Sequence, residues 1–454
     1  MTIDEISIYL DKILKKAEES GFSSSEASYS QGGSTGIEVL NGEVSNFECS
    51  EDCGVSFRGL YNGKMGTASS SELNDESVDW IISQASMNAS VIDSDDIEFI
   101  HCENPGEVLE YELKFTHPEK NTYDNIVKIG LSLEKAILNY DPAIKAVDYL
   151  SVGFSGGTSF IKNSEGLIMR KRSDLIVVVA EVRGEKNGVV KTNADDWYGV
   201  DIDDYNEEEL VKKICDDLLS KFDAKSVKSG KYDVVFKNRA VSELITSFFG
   251  NFSYDAMQKG LSLLKGREGE KIASENLSLY EDPFYDKALS KLPFDQEGIK
   301  TTSKFFIENG VFKTGVHNLK TANKAGTVST GNGFMAGGGM GLGVTNLILK
   351  PGDKSFDELL SEMSDGIVIT ELSGLHAGLN RLSGDFSLLT EGYLVKDGKI
   401  ERSIEQITVA DNFYEIIKRF KDIGNDMYKE LGSNGERFMP SVLVTDVSIS
   451  GSET

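Results

Sequence analysis

The chain has 454 residues and a formal net charge of −27, from 74 acidic and 47 basic side chains. That length exceeds one ordinary hydrophobic core, so two domains are expected. With no basic stripe or Lys/Arg-rich block, the acidity argues against direct binding to a nucleic-acid backbone. Four cysteines (Cys49, Cys53, Cys102, Cys215) in so long a chain make no disulfide framework. No apolar run reaches the ~18 to 20 residues of a membrane span, and the N-terminal stretch reads as a helix rather than a signal peptide. A cytoplasmic protein is expected, with no membrane attachment.

Thr2 and Glu5 form the ends of a capping box, and Ile6, Leu10, Ile13, Leu14 and Ala17 recur at helical spacing behind it. Short alternating segments follow at residues 27–30, 36–40, 44–48 and 54–60. Asn41-Gly42 and Asn62-Gly63 join them as a meander, because this dipeptide suits the positive φ of a tight hairpin. Helices are expected over residues 76–87 and 123–140, and strands over 144–152, 157–163 and 167–182. A further helix is capped by Asn206, with Leu210, Ile214, Leu218 and Leu219 facing inward. Helices on an antiparallel sheet make residues 1–225 an α+β domain.

The polar stretch 223–231 is the expected linker. Beyond it, residues 226–454 are expected to form a β-rich domain dominated by a curved, barrel-like antiparallel sheet. Within it Val241, Leu244, Ile245, Phe248 and Phe252 mark a helix over 240–252 with one buried face. The most informative stretch runs from Ile367 to Phe413. A β-branched run opens it, then a loop punctuated by Gly374, Gly378 and Gly384, with His376, Asn380, Asp385 and Ser387 in or beside the loop. Asp397-Gly398 marks a hairpin, and Asn412 with Glu415 caps a following helix.

Several motifs imitate known sites. Gly153-Phe154-Ser155-Gly156-Gly157 fits a nucleophile elbow, but no helix follows it, so it reads as a glycine-rich hairpin. Ser262-Leu263-Leu264-Lys265 lacks the companions of its enzyme class and reads as ordinary helix. Gly331 to Gly343 imitates a dinucleotide fingerprint but leads into a strand over 344–349, so a mobile loop at a groove or subunit contact is expected, with Gly333 and Gly339 as contact candidates. Cys49 and Cys53 have no second pair of metal ligands, and the acid-rich segment 195–209 lacks the glycine of a calcium loop. His376 and Asp385 would serve as a base and its orienter, or brace the loop.

The stretch LSGLHAGLNRLSGDFSLLTEGYLVKDGKIERSIEQITVADNF resembles the signature of the TldD/PmbA family, the so-called modulators of DNA gyrase. Thr345 to Leu360, Ile423 to Met427 and Gly36 to Leu73 fit the same family in the same order. The resemblance implies a peptidase family in which TldD-type subunits carry a His-Glu-x-x-x-His zinc motif on a helix and a further cysteine near the C-terminus. Here the histidines are His101, His117, His317 and His376, and no pair has that spacing. Aligned with the zinc helix, Ile245, Thr246 and Gly250 stand where the histidine, glutamate and histidine would fall. The tail from Gly432 to Gly451 matches the PmbA (TldE) branch. The resemblance therefore implies a subunit without its own metal or cofactor, with zinc only in a TldD-type partner and unfolded or leader peptides as substrates. His376, Asn380, Asp385 and Ser387 would contact substrate or partner. An independent metal-free hydrolase using His376, Asp385 or Ser387, and a non-enzymatic homodimeric scaffold, are the other readings.

Overall fold

The computed structural model describes residues 2–93, 97–336 and 339–452. The chain divides into two compact units. One takes Met1–Leu219 with Phe294–Lys300 and Ala322–Thr327, and the other takes Ser220–Pro293, Thr301–Thr321 and Val328–Thr454.

The first unit is a seven-stranded sheet with helices. Ser24–Leu40 pairs antiparallel with Glu43–Tyr61 on one side and with Ile144–Asn163 on the other. Ile168–Lys186 continues the sheet, and its outer edge takes both Val108–Leu113 (parallel) and Val189–Gly199 (antiparallel). The meander is real, but its strands are far longer than the short segments expected. Gly and Ser at Gly32, Gly33 and Ser34 read as a break, yet they pair without interruption with Asp52, Glu51 and Ser50. At about 3.3 Å per residue such strands are long enough to carry a separate core at each end. Helices Ile3–Glu19 and Asp75–Ser90 bury Leu10, Ile13, Ile81 and Ala85 against Ala27, Val55 and Phe160 at one end. Tyr123–Leu138 and Glu207–Ser220 bury Leu133, Ile137, Ile214 and Leu218 against Ile37, Val152 and Val178 at the other.

The Gly153–Gly157 run is neither a hairpin nor an elbow. It lies within one strand, with Gly153, Gly156 and Gly157 opposite Gly36, Gly33 and Gly32. A Cβ at Gly156 would come within 2.6 Å of Asp174 Oδ1. Asp174 is buried, bonded to Arg172 and to the Phe115 amide, so the glycine leaves room for a buried carboxylate. The acid-rich segment 195–209, which reads in the sequence as a solvated turn, is corrected here. Asp195 and Asp196 belong to the strand Val189–Gly199 rather than to a solvated turn. Cys49 and Cys53 sit four apart on one strand, about 13 Å between Cα atoms, which is too far to share a metal ion.

The second unit contains a closed five-stranded barrel. Gly230–Phe236 lies parallel to Gly366–Ser373, which pairs in turn with Asp385–Lys396 and that with Lys399–Asn412. Val442–Ser450 pairs with both Gly230–Phe236 and Lys399–Asn412, closing the ring. A second sheet runs Val311–Phe312, Lys304–Glu308, Leu279–Glu281, Leu347–Leu349, Glu436–Met439, Tyr428–Leu431. Helix Asn238–Phe249 shares one continuous core with the barrel and this sheet, through Leu244, Ile245, Phe248, Leu347, Ile369 and Val409. The stretch read as a linker is pinned to the barrel: Val227 is buried, and Arg402 donates to the carbonyls of Lys225 and Ser226.

The hairpin turns follow their residue types. Asn41-Gly42, Asn62-Gly63 and Asp397-Gly398 hold positive φ at both positions, as do Asn187-Gly188 and Asn309-Gly310. The glycine tract is a two-stranded ribbon, Gly333–Ala336 against Gly339–Leu342, rather than a loop; its residues 337 and 338 lie outside the described residues. Ser262–Lys265 is a turn, not a helix, with Ser262 Oγ donating to the Asn251 carbonyl at 2.6 Å. Asn412 caps Phe413–Ile416 by accepting from the Tyr414 amide, while Glu415 pairs with Lys418 instead of completing a capping box.

The barrel tolerates no side chain at Gly392, where a Cβ would stand 1.8 Å from the Val368 carbonyl oxygen. Gly392→Ala is expected to lower stability by on the order of 2–4 kcal/mol, read by urea unfolding of the full chain. Gly260→Ala gives a weaker, purely conformational effect, because nothing lies within 4 Å of a Cβ there.

Candidate functional site

The site centres on helix Asn238–Phe249, and both of its ends are tied to distant parts of the chain. At the N-terminus no side chain caps the helix from Lys237. Instead the Asn238 amide donates to Ser441 Oγ at 3.0 Å, and Asn238 Nδ2 donates to the Asp426 carbonyl at 2.8 Å. Asp426 accepts in turn from the Ser441 hydroxyl (2.6 Å) and amide (3.1 Å). Asp426 belongs to the Ile423–Met427 motif, whose role is thus to fix the start of this helix. Gly424 is confined by the same arrangement, since a Cβ there would lie 2.5 Å from Asp426 Oδ1.

At the C-terminus the loop after Ser373 closes over the last turn. Arg381 Nε donates to the Ser247 carbonyl at 3.0 Å, and Asn251 Nδ2 donates back to the Arg381 carbonyl at 2.9 Å. A cation on the orphan carbonyls of a helix end is favourable both as a hydrogen bond and against the helix dipole. Below, Phe248 stacks on Phe413 with centroids 4.6 Å apart and packs near Phe386.

The loop braces itself. The Gly378 amide donates to the Gly374 carbonyl, the Ser387 amide to the Gly378 carbonyl, and the Asn380 amide to the Asp385 carbonyl at 2.8 Å. Asn380 Oδ1 accepts from the amides of Leu382 and Ser383. Asp385 is committed to Asn412 Nδ2 (2.9 Å) and Ser383 Oγ (2.7 Å), and these bonds hold its carboxyl below the usual range. The base-and-orienter pair of His376 and Asp385 therefore does not form; His376 is exposed, and the Ser387 side chain also points to solvent. Asn380, Asp385 and the helix end are brought together. Gly333 and Gly339 belong instead to the ribbon, rooted in another network. There the fully buried Glu281 accepts from Lys304 Nζ (2.6 Å), Asn332 Nδ2 and the amide and hydroxyl of Thr345.

The positions that the resemblance aligns with a zinc helix offer no metal ligand between them. Ile245 is 2 % exposed within the core, Thr246 is exposed, and Gly250 opens a 3-10 turn. A zinc ion needs imidazole, thiolate or carboxylate donors converging on one point, so these residues do not fit it.

Sequence reasoning missed the charged groups along the same helix. Ser242 Oγ donates to Glu430 Oε2 at 2.5 Å, joining the helix to the edge strand Tyr428–Leu431. Glu243 accepts from the Leu372 amide at 2.8 Å with Arg239 3.6 Å away. Burial pushes its carboxyl up to about 7, the Leu372 amide and Arg239 opposing and nearby Glu371 and Glu430 adding to the rise. A lone glutamate within an apolar helical stripe was the available signal. The raised pKa means the folded chain binds this proton more tightly than the unfolded chain, whose group titrates near 4.5. Stability from this group is complete below about pH 4.5 and is lost as pH rises through about 7. Glu243→Gln, which can still accept from Leu372, is expected to gain stability relative to wild type between pH 5 and pH 8. Parallel pH–stability curves from denaturant unfolding would contradict the burial argument.

Three family models match successive parts of the chain. The PmbA/TldA metallopeptidase domain 1 matches residues 25–89, the central domain 116–222 and the C-terminal domain 229–451. The Metalloprotease PmbA of Escherichia coli O157:H7 is 26 % identical over 426 residues, covering 92 % of this chain and 90 % of the relative. A Thermotoga maritima crystal structure described as a modulator of a DNA gyrase is 30 % identical, with a TM-score of 0.87 over 98 % of this chain and 100 % of that one. TldE from Thermococcus kodakarensis superposes with a TM-score of 0.87 at 24 % identity over 98 % of this chain and 100 % of its own. The chain belongs to the PmbA/TldD metallopeptidase family.

Proposed function

We propose that this chain is the zinc-free, PmbA/TldE-type subunit of a two-subunit peptidase. Its partner is a TldD-type subunit carrying the zinc, and the substrates are unfolded or leader peptides. The observation that carries this reading is the helix Asn238–Phe249. It is anchored at both ends and packed as a functional helix would be, yet Ile245 is core and neither Thr246 nor Gly250 supplies the glutamate or the second histidine. The E. coli relative is named a metalloprotease, which supports proteolysis as the activity of the assembly. Within such an assembly this chain would contact peptide rather than hold the metal. The edge strand Tyr428–Leu431, joined to the helix by Ser242 and Glu430, offers backbone groups for strand addition of an extended peptide.

Affinity capture of the tagged chain from native lysate, followed by zinc analysis, tests the pairing. Recovery of a zinc-bearing family member at about one per chain is expected. Recovery of a homodimer alone would replace this reading with the scaffold or the independent hydrolase.

Restoring ligands in place is expected to fail. Histidines at positions 245 and 250 of a regular helix would point ~140° apart at ~3.6 residues per turn, and a third ligand is still needed. The triple variant Ile245→His/Thr246→Glu/Gly250→His is expected to show no peptidase activity alone. Ile245→His by itself should cost on the order of 2–4 kcal/mol. An unchanged melting temperature for that single variant would show that position 245 tolerates a polar side chain and is free to point at a ligand.

A further inference from the structure

The first unit carries a cluster that the peptidase reading does not use. His117 precedes the 3-10 turn Pro118–Lys120, and Asp201 caps the turn Ile202–Asp204 by accepting from the Asp203 amide at 3.0 Å. The two segments are held side by side where the Thr116 amide donates to the Val200 carbonyl. His117 Nε2 then faces Asp201 Oδ2 and Asp203 Oδ2, each at 3.9 Å, and one ligand atom from each residue lies within 4.8 Å of the others.

The other ring nitrogen also faces a carboxylate. His117 Nδ1 lies 3.4 Å from Glu119 Oε1. A carboxylate on the far nitrogen is how a metal-binding imidazole is normally fixed, because it sets the tautomer and raises the basicity of the ligating nitrogen. We propose that His117, Asp201 and Asp203 bind one divalent transition-metal ion, with Glu119 orienting the imidazole.

An imidazole with two carboxylates and no thiolate suits Zn2+, Co2+ or Mn2+. It provides too few oxygens for tight Ca2+ binding, which takes about six to eight. In a tetrahedral zinc site with bonds near 2.0–2.2 Å the ligand atoms stand about 3.4 Å apart. The observed spacing therefore needs only a small closing motion of side chains that are 41 %, 17 % and 56 % exposed. Lys120 is the competitor, since its ammonium group pairs with Asp203 Oδ2. That ion pair is exposed, and exposed pairs contribute little, so a doubly charged ion bonded to three residues would displace the ammonium group. The ion would be exchangeable, open to water at its remaining positions, and separate from any zinc held by a partner subunit.

The test uses the full chain after stripping with a chelator, titrated calorimetrically with Zn2+ and followed in parallel by Co2+ absorption. One saturable Zn2+ site per chain is expected. His117→Ala and Asp201→Asn should each weaken binding by more than about tenfold, and Glu119→Gln by about tenfold through the imidazole. Lys120→Ala should tighten binding. Thermal melts of each variant establish that it is folded; these surface positions lie outside the first unit's two cores. No saturable uptake by the folded wild type, an affinity unmoved by His117→Ala, or Ca2+ bound as tightly as Zn2+ would overturn the assignment.

Discussion

The second unit depends on how helix Asn238–Phe249 is held between two loops distant in sequence. Asp426 gathers Asn238 and Ser441 at one end, and Arg381 with Asn251 forms a reciprocal clamp at the other. Each contact satisfies a backbone or side-chain group that would otherwise be left unpaired near the core, where an unmade hydrogen bond costs more than a made one contributes. The helix joins barrel and second sheet into one apolar core, so a shift of its axis would disturb both. Both ends of the helix are held in place by these contacts. The rigidity is present at positions that carry no ligand.

The buried Glu281 network is the second fixed point. One carboxylate serves Lys304, Asn332 and Thr345, and Asn346 beside it bonds the Glu436 amide. Removing any single partner would strand a buried charge or amide, so the network ties strand Leu279–Glu281, the root of the ribbon and strand Glu436–Met439 into one arrangement. Gly435 and Gly343 permit the close approach, since a Cβ at either would come within 2.6 Å of Thr345 or Asn434.

Much of this was legible from residue types. The capping box at Thr2, the Asn-Gly and Asp-Gly turns and the apolar stripe of Val241, Leu244, Ile245 and Phe248 follow from local chemistry and fall where they should. The family motif from Leu372 to Phe413 also lay open, although its histidine and aspartate suggested a pair that Asn412 pre-empts. Glycine misled twice in the same way. Gly32, Gly33 and Gly153–Gly157 read as chain breaks but sit mid-strand, where a Cβ would crowd Asp174 at Gly156 and the backbone of neighbouring strands at Gly33 and Gly153. The ribbon at Gly333–Leu342 read as a loop for the same reason. Long-range partners such as Asn251 with Arg381, or His117 with Asp201, left no local trace, since nothing in their sequence neighbourhoods announces a partner so far along the chain.

The central claim is that chemistry on this scaffold is divided between two chains. The most direct measurement compares peptide cleavage by the purified chain, by a zinc-bearing TldD-type subunit from the same genome, and by the two mixed. The account predicts cleavage by the mixture that a chelator abolishes, and none by this chain alone. Chelator-resistant cleavage by this chain alone would contradict it.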